Sequence, residues 1–324
     1  MKTTCPPASA TLNLLWWAMV ALLLVLLLSL VFALPGPARA QSLQAPSPWD
    51  PAAQPQYAQS QSRYDVAQQP ATAPAAPSPG AERKDAKKKD WDIRLGAGAL
   101  YQPDYEGSDD YEVAPLPLVM ISYRDLVFLR GPMLGVNAFT WQGPGPGDKL
   151  QAGPLVRYQF GRDAGDNDAL RGMGDIDDAV ELGGFVTYGM GPWSAGLTVF
   201  RDVTDSHEGL TAKLSAGHRL PLGPKLMLRS ELFTTWADDN YTEAFFGVTA
   251  AQAARSGLRQ YRPEGGIKDV GLSLDLNYSL TEHWGVTGRL GYKRLLGDAA
   301  DSPLVQDRGS ADQFTTGLFV SYRF

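Results

Sequence analysis

Residues 270–280 read VGLSLDLNYSL, and this stretch decides the fold class. Every even-numbered position is apolar, and every odd-numbered position is small or polar. Strict alternation is typical of a β-strand with one apolar face, because successive side chains of a strand point to opposite sides. A helix would scatter Leu272, Leu274 and Leu276 over several faces. We therefore interpret 270–280 as a strand.

The same alternation recurs in segments 210–220, 284–292 and 317–324. An apolar strand face has two possible neighbours. In a soluble sandwich it packs on a second sheet, whereas in a membrane barrel it faces lipid and the small, polar face lines the lumen. The alternation alone is compatible with both arrangements, so other features must separate them.

Three features favour the barrel. The segments run about ten to twelve residues, a length that crosses an outer membrane when the strand is tilted and exceeds the usual strand of soluble proteins. Gly, Ser, Asp and Asn dominate the second face, which suits a crowded lumen. Aromatic residues fall near strand ends, where an interfacial girdle would place them: Trp91, Tyr111, Trp193, Trp236, Tyr278, Trp284, Tyr322 and Phe324.

We therefore predict an all-β fold, a transmembrane antiparallel up-and-down β-barrel of about twelve strands in residues 91–324. The expected strands are 91–101, 111–123, 125–131, 133–141, 151–160, 178–190, 192–202, 209–220, 224–236, 268–280, 283–296 and 312–324. The count depends on 125–141, where Gly131-Pro132 either turns a short hairpin or breaks one strand. Ten strands is the alternative count, since bacterial single-chain barrels have even numbers.

Loop lengths predict the topology. Outer-membrane barrels have short periplasmic turns and longer outer loops. If the last strand descends to the periplasm, Thr281-Glu282, Pro221-Leu222-Gly223 and Gly191 become periplasmic turns. The long segments 161–177, 237–267 and 297–311 then all fall outside the cell.

The first 40 residues read as a secretory signal peptide. Residues 12–34 are almost wholly apolar and carry no charge, and Ala38-Arg39-Ala40 fits the small-x-small cleavage pattern. The alternative is an uncleaved anchor, because such a run is long enough to span a bilayer. Cys5 precedes the apolar run, whereas a lipoprotein cysteine follows it. We expect export and cleavage after Ala40.

Residues 41–90 read as a disordered periplasmic arm. As far as Gly80 the chain is mostly Ala, Pro, Gln and Ser without hydrophobic periodicity, so it cannot bury enough apolar surface to fold. A charged patch, 82–90, follows. The arm is either a solvated linker or a tether whose lysines meet an acidic polymer or a membrane surface.

Composition excludes several functions. The formal net charge is −6, which argues against nucleic acid as a partner. A single cysteine rules out an intramolecular disulfide, a four-cysteine zinc site and an iron–sulfur cluster. The three histidines, His207, His218 and His283, make a histidine-rich metal site improbable. We expect neither a cofactor nor a metal.

No catalytic motif stands out. Asp205-Ser206-His207 contains the residue types of a nucleophilic triad, but adjacent loop residues point in different directions, so we expect a polar turn. The sequence contains no nucleophile elbow, Walker loop or HExxH. Acidic residues cluster in 104–112 and 163–178 with spacing that matches no calcium loop. We expect a protein that is not an enzyme.

Three motifs in order resemble the MipA/OmpV family of Gram-negative outer-membrane proteins. They are PDYEGSDDYEVAPLP at 103–117, AARSGLRQYRP at 253–263, and YKRL at 292–295 followed by DSPLV at 301–305 and the terminal YRF. The resemblance covers about 91–324. It points to these loop residues as a candidate site: Pro103, Tyr105, Gly107, Arg255, Ser256, Gly257, Leu258, Tyr261, Ser302 and Pro303. The residue types at 255–258 suit either a turn fixed by Gly257 or a loop whose Arg255 or Arg259 pairs with lumen carboxylates.

The resemblance implies a location in the cell outer membrane, with lipid and lipopolysaccharide as surroundings. It also implies that the barrel assembly machinery reads the terminal Tyr322 and Phe324 as an assembly signal. The founding member is named for binding a murein lytic transglycosylase, which it is thought to scaffold with a murein synthase. The expected function is therefore a scaffold with a lytic transglycosylase and a penicillin-binding protein as partners. A narrow channel or a surface adhesion or binding protein is the alternative.

Overall fold

A computed structural model describes residues 59–61, 65–67, 90–145 and 147–324. The expected signal peptide, its cleavage site and most of the expected arm lie outside the described residues. Within 41–90, two short strands, β1 (Gln59–Gln61) and β2 (Asp65–Ala67), pair in antiparallel fashion. The remaining strands form one sheet.

That sheet is antiparallel throughout, and its strands pair with their neighbours in sequence except that β6 pairs with β8 and not with β7. Its strands are β3 (Trp91–Pro103), β4 (Tyr111–Tyr123), β5 (Val127–Arg130), β6 (Met133–Val136), β7 (Phe139–Gln142), β8 (Lys149–Gln159), β9 (Ala179–Met190), β10 (Trp193–Asp202), β11 (Leu210–Pro221), β12 (Leu226–Ala237), β13 (Gly266–Ser279), β14 (Trp284–Leu295) and β15 (Asp312–Arg323). The last strand pairs with the first of them, with Tyr322 opposite Leu95. The sheet therefore closes into an up-and-down barrel.

Segment 125–141 contains a short hairpin and then an interrupted strand. Gly131 and Pro132 turn β5 into β6. Both β6 and β7 pair with β8, on either side of an interruption at Asn137 and Ala138, so together they occupy one strand position. The thirteen segments of the sheet thus make twelve strands, which confirms the predicted count.

Along each strand, alternate side chains face outward and into the lumen. On β13, Ser273, Asp275 and Asn277 are buried, whereas Leu272 is 42% exposed. Leu214 on β11 is 57% exposed for the same reason. Because a closed sheet has an inside, the buried polar set faces the lumen and the apolar set faces outward. The outer surface is the apolar belt of a membrane barrel.

The two ends of the barrel differ. One end, here the loop end, carries connections 104–110, 160–178, 203–209, 238–265 and 296–311. The other, the turn end, carries connections 124–126, 143–148, 191–192, 222–225 and 280–283. Trp91, Trp193 and Trp284 begin strands at the turn end, and Trp236 lies near the loop end. Aromatic residues therefore flank the apolar belt at both ends, as the girdle pattern predicts.

The long loops fold into short helices. They are α1 (Asp239–Phe246), α2 (Ala250–Ser256), α3 (Gly297–Ala300), α4 (Pro303–Arg308) and a 3₁₀ turn at Asp168–Leu170. Asp238 caps α1 by accepting from the Tyr241 N–H, and Thr249 with Gln252 forms a capping box on α2. Among the described residues, no helix has the length and apolar character needed to cross a membrane.

Candidate functional site

Four loops at the loop end fold together into one unit, here called the cap: 104–110, 160–178, 238–265 and 296–311. Apolar side chains from all four loops form its core: Tyr105, Leu170, Met173, Val248, Leu258 and Leu304. Tyr105 and Leu304 are at most 1% exposed. Burying each large apolar side chain stabilises the folded loops by about 1.5–3 kcal/mol. The cap is therefore a packed structure.

A second apolar cluster joins the cap to the barrel rim. Tyr241, Phe245 and Phe246 of α1 pack with Leu295 at the end of β14 and Val305 of α4. The rings of Tyr241 and Phe245 stack with centroids 4.5 Å apart. Because these residues come from a strand end and two loops, the rim and the cap share one core.

The first family motif enters the cap through Gly107. Its φ of +97° is a left-handed conformation that favours glycine. A Cβ at this position would lie 2.7 Å from Val305 Cγ2. The Gly107 N–H donates to Gln313 Oε1 at 3.1 Å, and its carbonyl accepts from the Ser310 N–H at 2.8 Å. The motif glycine is thus fixed by conformation, close packing and hydrogen bonds to the last loop. Pro103 is buried at the end of β3, just before this turn.

The second motif ends α2 and crosses to two other loops. Gly257 adopts the left-handed conformation, with φ +77°, that terminates the helix. Arg255 Nε donates to the Gly172 carbonyl at 3.3 Å, and Tyr261 Oη donates to the Asp298 carbonyl at 2.9 Å. Arg259 donates to the Asp301 carbonyl at 3.0 Å. Both arginines therefore bind main-chain carbonyls within the cap.

The third motif contacts α1 through Ser302. Ser302 Oγ donates to the Phe246 carbonyl at 2.6 Å and accepts from the Leu304 N–H at 3.2 Å. It therefore caps α4, whose first residue is Pro303. Arg308, at the end of α4, donates to the Ser256 carbonyl of the second motif. Three segments far apart in sequence thus interlock in one structure.

A buried charge cluster lies beneath the cap. Glu106 Oε1 is 2.6 Å from Lys268 Nζ and 2.6 Å from Lys293 Nζ, and Lys268 also lies 2.9 Å from Asp269 Oδ2. Burial alone would raise the pKa of Glu106, but the charges and hydrogen bonds of the two lysines lower that pKa to about 2. The carboxylate therefore stays ionised and links the first loop to two strands.

Sequence reasoning missed this cluster because of a β-bulge. Opposite β13, Thr235 pairs with Asp269 and Trp236 pairs with Ile267, so Lys268 is the extra residue. The bulge turns both Lys268 and Asp269 into the barrel, where strict alternation would send one of them outward. The only sequence signal was a pair of adjacent charges at the start of a strand.

Further into the lumen, one sector of the wall is polar and ion-paired. Lys213 Nζ lies 2.8 Å from Glu231 Oε1, and Arg289 forms two hydrogen bonds with Asp275 of 2.6 and 2.9 Å. These residues belong to β11 to β14. Charged groups inside this sector are thus matched, as burial requires.

The rest of the lumen wall carries apolar side chains, here called the apolar sector, next to the buried ion pair of Arg157 with Glu181. It contains two clusters: Leu100, Leu116, Leu118, Met120 and Phe319; and Phe128, Met133, Leu155, Phe185 and Phe200. These residues lie on β3 to β10 and on β15. An apolar lumen wall is unusual, because the interior of outer-membrane barrels is generally polar.

The segment Asp205-Ser206-His207 does not form a nucleophile–base pair. Ser206 Oγ donates to the Asp177 carbonyl at 2.5 Å. His207 Nδ1 accepts from the Gly209 N–H at 3.0 Å, and its Nε2 lies 3.8 Å from Glu181 Oε1. Burial lowers the pKa of His207, outweighing the nearby carboxylates. The two side chains have separate partners, and the segment is a turn.

The acidic residues of loop 160–178 bind main-chain groups. Asp163, Asp175 and Asp178 accept from the N–H groups of Gly165, Ala164 and Gly161 at 2.6 to 2.8 Å. Within the described part of the chain, no group of three or more His, Cys, Asp or Glu side chains could hold a metal ion. These carboxylates stabilise the loop.

The two predicted assembly-signal residues lie at the turn end. The rings of Tyr322 and Phe324 have centroids 4.8 Å apart, and Tyr322 also contacts His283 and Trp284. The Phe324 N–H donates to the Ile93 carbonyl at 3.0 Å, and its side chain is 55% exposed. The last residue is therefore attached to the first barrel strand.

Comparisons with known proteins identify the family of the chain. A family model described as MltA-interacting protein MipA matches residues 95–324. The chain is 28% identical to the putative outer membrane protein YiaT of Escherichia coli K12, over 72% of this chain and 91% of that protein. It is 28% identical to the MltA-interacting protein of the same organism, over 71% and 89%. OmpV of Vibrio cholerae is 26% identical over 48% and 58%.

Among solved structures, an outer membrane channel from Pseudomonas putida F1 matches 76% of this chain and all of its own, with 14% identity and a TM-score of 0.39. No functional conclusion rests on so remote a likeness. The family match covers residues 95–324, which contain all three motifs, and two of the relatives are named outer membrane proteins. The chain is an outer-membrane β-barrel that belongs to the MltA-interacting protein family.

Proposed function

We propose that this barrel is a non-enzymatic scaffold that holds murein-remodelling enzymes, a lytic transglycosylase and a penicillin-binding murein synthase, at the outer membrane. The observation that carries the proposal is the match to a relative named MltA-interacting protein, which extends over 89% of that relative. The motif residues support the cap rather than a catalytic centre. Binding at a surface is therefore the activity that remains.

The structure of the loop end supports binding over transport. The cap joins separate parts of the barrel: Glu106 contacts Lys268 on β13, and Arg308, between β14 and β15, donates to the Ala169 carbonyl between β8 and β9 at 3.0 Å. A channel needs an unobstructed lumen, whereas here the four loops of the cap pack together at the loop end. These contacts argue against the alternative function, a narrow channel.

The turn end is the surface proposed to meet the enzymes. In the proposed orientation it faces the periplasm, where murein lies. Trp91 begins the barrel at this end, so the predicted arm 41–90 emerges on the same side. Ion pairs occur here, including the exposed pair of Arg124 with Asp90 at 3.0 Å and the half-buried pair of Arg323 with Asp92 at 3.1 Å. The turn end and the arm would form one binding region.

Capture from a periplasmic extract tests the proposal. Full-length protein immobilised in lipid nanodiscs should retain a lytic transglycosylase and a penicillin-binding protein. A parallel variant that lacks 45–80 removes most of the arm and no barrel residue, and so separates the arm from the turn end as the binding element. Retention of neither enzyme by the full-length protein would refute the scaffold.

A further inference from the structure

The barrel wall is incomplete beside β4. The short strand β5 pairs only with Met120–Tyr123 at the turn-end part of β4. No strand among the described residues pairs with 111–118 along this edge, although β3 pairs with the whole of β4 on the other side. The next strand position, which begins with β6, starts at the Gly131-Pro132 turn. At this turn the Pro132 carbonyl accepts from the Tyr158 N–H of β8 at 3.1 Å. A break therefore separates β4 from β8 in the loop-end half of the wall.

Two prolines occupy the open edge in a specific register. The Val119 carbonyl accepts from the Gly131 N–H at 2.9 Å, so odd-numbered residues of β4 point their main-chain groups toward the missing strand. Pro115 and Pro117 share that parity, and neither has an N–H. A β-strand added here would lose two ladder hydrogen bonds, so the edge resists pairing with another chain.

The outside of the break is apolar and open. Val113 is 66% exposed, against 57% for Leu214 on a strand that has neighbours on both sides. Pro115 and Pro117 are exposed as well. In an outer-membrane barrel this surface meets the hydrocarbon chains of lipid.

The lumen behind the break carries apolar side chains, and the buried ion pair of Arg157 with Glu181 lies beside them. Leu116 and Leu118 project inward from the open edge of β4, and Met133 and Leu155 project inward from β6 and β8 on the far side. The inward side chains of β11 to β14 include the ion pairs of Lys213 with Glu231 and of Arg289 with Asp275. Methionine side chains such as Met120 and Met133 are flexible and adapt to different apolar neighbours. Apolar side chains thus lie on the lipid face of the break, on both of its edges and in the lumen behind it.

We propose that the break between β4 and β8 is a lateral port through which an acyl chain of a membrane lipid inserts between the wall strands and contacts the apolar sector of the lumen. The apolar surfaces on both sides supply the driving force. The open edge offers carbonyl oxygens at 113, 115 and 117, and these suit a lipid headgroup that donates hydrogen bonds, such as ethanolamine. The prolines keep the port free of a competing strand.

Site-directed fluorescence quenching tests the port without involving any murein enzyme. The full chain, with Cys5→Ser, would carry a bimane label at Leu116→Cys and be folded into phosphatidylethanolamine–phosphatidylglycerol vesicles whose acyl chains are brominated. Leu214→Cys, on the lipid face, and Ser273→Cys, in the polar sector of the lumen, are the matched references. Heat-modifiable migration on a gel verifies that each labelled protein is folded.

The label at 116 should lose fluorescence to brominated chains nearly as strongly as the label at 214, and far more strongly than the label at 273. Met133→Cys, on the other side of the break, gives the same readout if Leu116→Cys fails to fold. Quenching at both 116 and 133 that is no greater than at 273 would overturn the proposal.

Discussion

Glu106 and Lys268 are 162 residues apart in sequence, yet their side chains meet beneath the cap with 2.6 Å between Oε1 and Nζ. Glu106 follows the first strand of the barrel, and Lys268 begins the tenth strand position through a β-bulge. Lys293 shares the same carboxylate oxygen at 2.6 Å. One acid therefore holds two buried lysines and ties the first loop of the barrel to its last strands.

Replacing Glu106 with Gln should destabilise the cap by about 3–5 kcal/mol, because it leaves buried lysine charge uncompensated. Lys268 keeps Asp269, so the effect should fall mainly on Lys293 and on the attachment of loop 104–110. Thermal unfolding in detergent, followed by gel migration, would measure the loss. Glu243→Gln is the control, since Glu243 pairs with the exposed Arg262 and should cost less than about 1 kcal/mol. Equal losses in the two variants would contradict the buried pairing.

Stability should also depend on pH through Glu106. Its pKa is about 2 in the folded protein, below the ordinary value of 4.5. The unfolded chain therefore binds more protons between these values, and the stabilisation is complete above pH 4.5 and lost as the pH falls toward 2. The temperature midpoint of unfolding should fall as the pH is lowered through this window. In Glu106→Gln the midpoint should depend less on pH. A wild-type profile with the same slope as the variant would count against the assignment.

Gly107→Ala should cost about 2–4 kcal/mol, combining a left-handed backbone with a clash in the packed cap. A Cβ there would lie 2.7 Å from Val305 Cγ2. Gly174→Ala is the matched control, because Gly174 has φ +80° but nothing within 4 Å of the position of a Cβ. That variant should lose only about 1–2 kcal/mol. Urea unfolding would compare them, and equal losses would show that Val305 moves aside.

The double variant Pro115→Val, Pro117→Val restores two N–H groups on the open edge of β4. The edge then becomes an unbroken template for strand pairing, so the protein should self-associate through it. Chemical crosslinking in lipid nanodiscs and in dilute detergent would detect dimers that the wild type lacks. A double variant that stays as monomeric as the wild type would show that the prolines do not protect this edge.

Much of the fold follows from alternation. The apolar even positions of 270–280 lie outward and the polar odd positions lie in the lumen, as the pattern predicts. The twelve strand positions and the closing pair between β15 and β3 also agree with the prediction. These features can be predicted from local sequence. Alternation shows which side chains of a strand share a face, and loop length shows at which end of the barrel two strands are connected.

The cap and the break in the wall depend on non-local facts. Residues 111–123 read as one full strand, and they form one, but the missing partner results from the length of the hairpin that follows. The contacts of Glu106 with Lys268 and Lys293 required knowing which loops fold inward and where a bulge shifts the alternation. The family motifs marked the residues of the cap, yet only the structure shows that they bind one another.

In the proposed function, the cap closes the barrel and the protein acts by binding. Single-channel recording of the purified protein in planar lipid bilayers tests this most directly, with a variant lacking 239–265, which removes α1 and α2 from the cap, as the reference. The wild type should show no stepwise conductance, whereas the variant should show conductance steps because the contacts of α1 with the other loops of the cap are gone. Stepwise conductance in the wild type, at the same level as in the variant, would contradict the account.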